Sequence, residues 1–189
     1  MLKQLKISFI MLLAMTLLTG LAYPLLVTGL AQVFFPHQAN GSLIEQNGQI
    51  VGSSLIGQWF TEPQYFWPRL SETNVVPYNG EASGGSNASV LNELLVQQAQ
   101  NRLDALAKYG VAAQSVPVDL VTASGSGLDP NISVAAARVQ ADRIARARGL
   151  AVDQINTLID QYTQPRFLGL LGEPRVNVLL LNLALDGLK

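Results

Sequence analysis

Two glycine- and serine-rich stretches carry the residues whose types and spacing could do chemistry. In VTASGSGLDP (Val121–Pro130), an apolar run leads into Ser124, Gly125, Ser126, Gly127 and Asp129 just ahead of a helical pattern. A strand feeding such a loop at a helix start can cradle an anion, for instance a nucleotide phosphate. The loop lacks the GxxxxGK pattern followed by Ser or Thr, and no lysine stands between Lys108 and Lys189. Its plainer reading is a tight strand-to-helix turn that needs positive φ. SGGSN (Ser83, Gly84, Gly85, Ser86, Asn87) reads in the same way, as a turn before a ligand clamp. A nucleophilic serine needs a base, and the single histidine, His37, adjoins a long apolar run as an interfacial residue. No two carboxylates announce themselves as an acid–base pair by local spacing. Arg69 and Arg175 read as structural ion-pair partners first and partner-protein contacts second. Nothing in these patterns identifies an enzyme.

Composition narrows the field further. The chain has no cysteine, which removes thiolate nucleophiles, Cys-based metal sites and disulfides. Setting aside Lys3 and Lys6 leaves ten of the twelve Lys and Arg against thirteen Asp and Glu, a net charge of about −3. That balance offers no basic face for nucleic acid.

The element that must position everything else is ISFIMLLAMTLLTGLAYPLLVTGLAQVFF (Ile7–Phe35), which contains no charged residue. Roughly 20 apolar residues cross the hydrocarbon core as a helix, so this run spans it with length to spare. Lys3 and Lys6 precede it and no Lys or Arg follows until Arg69. The positive-inside rule therefore places residues 1–6 in the cytoplasm, 7–35 across the bilayer and 36–189 outside. A cleaved signal peptide is the competing reading, with small-x-small sites at Gly20–Ala22 and Gly29–Ala31. The run continues past the first site to Phe35, which favours a retained anchor. Thr16, Thr19, Gly20, Thr28 and Gly29 are small enough to let membrane helices approach closely, and Pro24 is tolerable there.

Beyond the anchor, Gly48–Phe60 reads as a strand bounded by glycines. Thr61–Ser89 is a long Pro-, Gly- and Ser-rich segment pinned by Tyr65, Phe66 and Trp67. Ser89 caps a predicted helix over Val90–Lys108, with an i,i+4 pair of Asp104 and Lys108. Val116–Ala123 reads as a buried strand. Ser133 caps a predicted helix over Val134–Arg148 that stops at Gly149, its Asp142 four residues from Arg138 and Arg146. A short helix follows over Val152–Tyr162. Glu173–Leu185 reads as a central strand buried on both faces. The sum is one N-terminal transmembrane helix followed by a small α/β or α+β extracytoplasmic domain.

Seven stretches come in order: ANGSLI (Ala39–Ile44), GSSLIGQWF (Gly52–Phe60), YFWPR (Tyr65–Arg69), PYN (Pro77–Asn79), SGGSN, VTASGSGLDPNIS (Val121–Ser133) and RVNVLLLNLALD (Arg175–Asp186). With the N-terminal helix, they resemble the C subunit of the Kdp potassium-transporting ATPase from end to end. Three departures stand out: Asn131 replaces a frequent histidine, Pro68-Arg69-Leu70-Ser71 alters a turn, and Ala88-Ser89 follows SGGSN.

The resemblance implies a non-catalytic subunit of an ATP-driven, high-affinity potassium importer. A channel-like subunit would bind and carry potassium, a P-type ATPase subunit would form the aspartyl-phosphate, and a small single-span subunit would complete the complex. The chain itself has no DKTGT or TVGYG-type motif. The resemblance further implies a catalytic chaperone that raises ATP affinity through a ternary complex with nucleotide, no cofactor being held tightly. Were ATP touched, Ser124, Gly125, Ser126, Gly127 and Asp129 are the residues to test. Contacts with partner subunits are assigned to Thr16, Gly20, Tyr23, Pro24 and Gly29 on the anchor. On the domain they fall to Gly57, Gln58, Phe60, Tyr65, Phe66, Arg69, Ser83–Asn87, Arg175 and Asn177. The inferred outside placement sets roughly 30 Å of hydrocarbon between the Gly/Ser loop and cytosolic ATP, which favours an indirect effect. The reading of another class is a membrane-tethered binding protein or hydrolase unrelated to transport.

Overall fold

A computed structural model describes residues 1–89 and 91–188. The chain divides into two compact units, Met1–Leu43 and the residues from Ile44 onward. In the first, α1 (Leu2–Leu17) and α2 (Tyr23–Phe34) join through one π turn, Leu18–Ala22, into a helix of 33 residues. At about 1.5 Å per residue it is roughly 50 Å long, more than the hydrocarbon thickness. None of it is buried, its apolar residues face every direction, and its mean hydropathy reaches 2.1. Such a helix is long and apolar enough to cross a membrane.

The π turn has a local cause in Pro24, which has no N–H to return to Gly20. The preceding turn widens instead, and the Tyr23 N–H donates to the Leu18 carbonyl five residues back. Thr19 Oγ1 donates to the Met15 carbonyl at 2.7 Å. A short turn, α3 (Pro36–Ala39), follows.

The second unit is a small α/β domain with two small sheets. β1 (Leu43–Gln46) and β2 (Gln49–Ser53) form a hairpin across Asn47-Gly48, both at positive φ of 54° and 75°. That dipeptide is a strong short-hairpin signal. The strand expected over Gly48–Phe60 is therefore shorter and paired with its predecessor. α4 (Glu93–Ala107) starts at Asn92, whose side chain accepts from the Leu94 N–H at 2.9 Å, rather than at Ser89. The expected first residue of that helix, Val90, lies outside the described residues. The Asp104 carboxylate accepts from the Gln100 side chain at 2.7 Å, and the Lys108 N–H goes to the Asp104 backbone carbonyl.

Where a strand was expected over Val116–Ala123, the backbone follows a 3-10 turn, Ala113–Ser115, with a short helix, α5 (Val118–Val121). Pro117 sits at the N-cap of α5, where its missing N–H costs nothing. β3 (Asn131–Ser133) leads into α6 (Val134–Arg138), capped by Ser133 Oγ accepting from the Ala136 N–H at 3.0 Å. The expected single helix breaks at Val139-Gln140 and resumes as α7 (Ala141–Arg148), which ends at Gly149 with φ 66°. Arg138 pairs with Asp160 at 2.8 Å, and Arg146 Nε donates to the Asp142 carbonyl, so Asp142 bridges neither. α8 (Val152–Tyr162) spans its expected range.

β4 (Thr163–Gln164) and β3 flank β5 (Arg175–Asn177) in an antiparallel sheet of order β3-β5-β4, with Ile132 and Thr163 both opposite Val176. The central strand expected over Glu173–Leu185 is corrected. Only three residues are strand, and Val178–Asp186 is a helix, α9. An apolar run bounded on both sides serves a buried helix as well as a buried strand. Asn177 decides it by capping, its side chain accepting from the Leu180 N–H at 3.1 Å. The core gathers Phe66, Leu106, Leu120, Ile144, Ile155, Ile159, Leu181 and Leu185, all fully buried.

Candidate functional site

The long segment between β2 and α4 is irregular, yet side chains from distant helices hold it in place. Phe66 presents its N–H to Asn182 Oδ1 at 2.8 Å and its carbonyl to Asn182 Nδ2 at 3.1 Å. Gln140 does the same for Trp67, at 2.8 and 3.2 Å. Two buried amides thus replace the neighbouring strands this extended stretch lacks, satisfying backbone groups that burial would otherwise orphan. Breaking the helix at Gln140 and placing a polar residue inside α9 both serve this clamp.

Arginines complete it. Arg148 donates to the Gln64 carbonyl at 2.9 Å and pairs with Asp186 at 2.6 Å, with its guanidinium over the Tyr65 ring. Tyr65 also donates to Asp186 and stacks obliquely on Phe60 at 5.5 Å. Arg102 donates to the carbonyls of Leu120 and Pro68, and Arg143 to that of Pro63.

The two Gly/Ser stretches meet one another. The Gly84 N–H and the Ser83 hydroxyl both donate to the Ser126 carbonyl, at 2.9 and 3.1 Å. A Cβ on Gly85 would lie 2.9 Å from the Gly125 carbonyl oxygen, and one on Gly127 would lie 2.5 Å from that of Gly84. The glycines here permit backbone to touch backbone. Ser71 Oγ donates to the Gly127 carbonyl at 2.7 Å, and the Gly57 N–H to that of Leu128 at 3.0 Å. Asp129 accepts from the Asn131 N–H and pairs with Arg69 at 3.2 Å, while Arg69 also donates to the Ala123 carbonyl. Tyr78 donates to the Arg69 carbonyl, and burial pushes its hydroxyl above the ordinary tyrosine range. A Cβ on Gly57 would strike the Tyr78 ring at 2.3 Å.

The structure thus brings Gly57, Arg69, Ser83, Gly84, Gly85, Ser124, Gly125, Ser126, Gly127 and Asp129 into one seam. Ser86 and Asn87 are exposed at its edge. Gln58 donates back to the Val51 carbonyl at 2.7 Å, and Asn177 to the Ser54 carbonyl at 2.9 Å. Arg175 is exposed. Thr16, Gly20, Tyr23, Pro24 and Gly29 all lie on the exposed apolar helix. Among the described residues no three His, Asp or Glu side chains gather as a metal would require. Arg102, Gln140, Arg143 and Asn182 were not singled out from sequence, and Trp67 only as an aromatic that pins the segment. Their signal was polarity on an otherwise apolar face: Arg102 sits four residues before buried Leu106, and Asn182 interrupts VLLLNLAL.

The arrangement holds an irregular backbone rigid through buried side-chain hydrogen bonds and close backbone contact. The family described as K+-transporting ATPase, c chain (KdpC) matches residues 5–187. A potassium-transporting ATPase KdpC subunit from Herpetosiphon aurantiacus is 61% identical over 92% of this chain and 91% of its own length. One from Sorangium cellulosum is 56% identical over 99% of both chains, and one from Polaromonas naphthalenivorans 58% over 98% and 95%. The match runs through the apolar helix, the clamp and the seam alike, and the chain belongs to the K+-transporting ATPase c chain family.

Proposed function

We propose that this chain is an accessory subunit of a potassium-transporting ATPase whose soluble unit lies outside the membrane and biases the pump's conformational equilibrium. Lys3 and Lys6 hold the N-terminus in the cytoplasm, and the helix Leu2–Phe34 packs in the bilayer against a channel-like subunit, a P-type ATPase subunit and a small single-span subunit. Potassium moves through the partners, and the ATPase subunit does the phosphoryl chemistry. The soluble unit raises apparent ATP affinity by binding one pump state better than another, since only differential contacts shift an equilibrium.

The observation that carries this indirect reading is the seam. The Gly/Ser loop spends its carbonyls on Gly84, Ser83 and Ser71 and its glycines on close backbone contact, while the Gly127 and Leu128 N–H groups turn inward to the Ser124 carbonyl and Ser126 Oγ. Potassium-stimulated ATPase activity of the solubilised complex, measured over a range of ATP with and without this chain, tests it. Its absence should raise the KM for ATP about tenfold, within the range typical of coupled sites. Gly85→Val, which wedges the seam, should reproduce part of that loss. Saturable ATP binding to the purified full chain alone would overturn the indirect reading. Deleting Ile7–Phe35 should end co-purification with the pump.

A further inference from the structure

Trp67 lies between two guanidiniums, with Arg102 Cζ 4.8 Å and Arg143 Cζ 4.5 Å from its ring centroid. The two arginines are only 6% and 3% exposed. Neither has a carboxylate partner, since the ion pairs among the described residues use Arg69, Arg138, Arg148 and Arg166. Their hydrogen bonds go to backbone carbonyls and the Gln140 amide, and Arg143 Nε is buried with no acceptor. Ring faces recover only part of the cost of burying an ion, which is why buried charges are ordinarily paired. Burial lowers both guanidiniums to about 10, with Arg143 pushed down further by the charge of Arg102.

This uncompensated pair opens onto a surface groove made of two adjoining clefts. The first, of about 510 Å3, is lined by Trp59, Trp67 and Arg102; the second, of about 420 Å3, by Arg143 and Arg146; Lys108 and Tyr109 border both. Four cations therefore line one groove, opposed only by Glu72, on a soluble unit that is net acidic. Trp59, 43% exposed, supplies an apolar wall beside them.

We propose that this groove receives an acidic segment of a partner subunit, its Asp or Glu side chain meeting Arg102 and Lys108 while an apolar neighbour lies on Trp59. The proposal rests on the reading that the soluble unit works in contact with the pump. A carboxylate supplies the counter-charge the Arg–Trp–Arg stack lacks.

The test uses the assembled complex with Trp59 replaced by p-benzoylphenylalanine. Irradiation should join it to a partner segment with an Asp or Glu within three residues of the adduct. Lys108→Glu with Arg146→Glu, both in surface positions, should lower that cross-link at least tenfold, and Arg138→Glu, away from the groove, should leave it unchanged. Lys108→Met, the milder variant, should lower it by a few fold should the double variant fail to fold. Adducts to lipid, to an acid-free segment, or at undiminished yield in both groove variants overturn the proposal while leaving the accessory function standing. Failure of the unmodified chain to co-purify with the pump overturns the function itself. The chain's two tryptophans both line the groove, so its fluorescence reports any small ligand. Saturable quenching of the purified full chain by inorganic phosphate or ATP would show a free-anion site and sink the docking assignment.

Discussion

Two apolar runs of nearly the same alphabet end in opposite surroundings. The helix Leu2–Phe34 buries nothing within the protein, whereas in α9 Val178, Leu179, Leu181 and Leu185 are all at least 98% covered by it. Composition does not separate them; length does. Nine residues make a helix of about 14 Å, far too short for the hydrocarbon core, so α9 must find its non-aqueous medium inside its own domain. The first helix is long enough to use the bilayer. The contrast teaches that apolarity specifies exclusion from water, while length and flanking polarity choose what replaces it.

The same substitution in each run should break this comparison most sharply. Leu181→Asp places a carboxylate in the core with no recorded partner, at a cost above about 4 kcal/mol. That is most of the margin of a typical domain, so cooperative thermal unfolding of the soluble unit should disappear. Leu21→Asp in the full chain should leave that unfolding unchanged and instead weaken membrane insertion by about 2.5–3.5 kcal/mol, read as release on carbonate extraction. Equal melting behaviour of the two variants would refute the distinction.

Polar atoms inside the runs sharpen it next. Asn182→Leu removes both hydrogen bonds that hold the Phe66 backbone, and each orphaned group costs about 1–3 kcal/mol. A destabilisation of about 2–4 kcal/mol should appear in denaturant titration, with greater exposure of the aromatic segment. Thr19→Val in the first helix loses one hydroxyl donated to the Met15 carbonyl, which keeps its place in the helix. Its effect should stay below about 1 kcal/mol, measured as helix association or insertion.

This pair also marks where sequence reading succeeds and where it stops. The long N-terminal helix was legible because the 29 uncharged residues of Ile7–Phe35 are mostly apolar and have few other uses. Ser133 and Gly149 were legible because caps are local chemistry, and α8 because Ile155, Leu158 and Ile159 recur at helical period. α9 was not, because a run apolar on every side has no period to read. Its identity rests on Asn177 capping and Asn182 reaching back 116 positions to Phe66. The seam was half legible: both glycine-rich loops stood out, but that each fills the other is a tertiary fact. The Asn47-Gly48 hairpin was legible in principle and hidden by reading Gly48 as the start of a strand over Gly48–Phe60 rather than as half of a turn.

A cap outside the runs gives a smaller effect of the local kind. Ser133→Ala removes the oxygen that accepts from the Ala136 N–H and the hydroxyl that donates to Asp119 Oδ1 at 3.1 Å. About 1 kcal/mol should be lost from the soluble unit, as typical of N-caps, with no change in membrane insertion.

A change at Pro24 is the one that isolates the bilayer as a solvent. In water, proline in a helix interior costs about 3 kcal/mol, and a proline at Leu181 would forfeit α9. Pro24 is accommodated because one widened turn re-uses the freed groups, the Tyr23 N–H reaching the Leu18 carbonyl. Pro24→Leu restores a donor to Gly20 and should convert Leu18–Ala22 to regular α-helix, worth about one ordinary hydrogen bond, 0.5–1.5 kcal/mol. Amide exchange over residues 19–24 should slow while the melting of the soluble unit stays where it was. Unchanged exchange would mean that the widened turn is set by something other than the proline, and the local cause given for it would have to be abandoned.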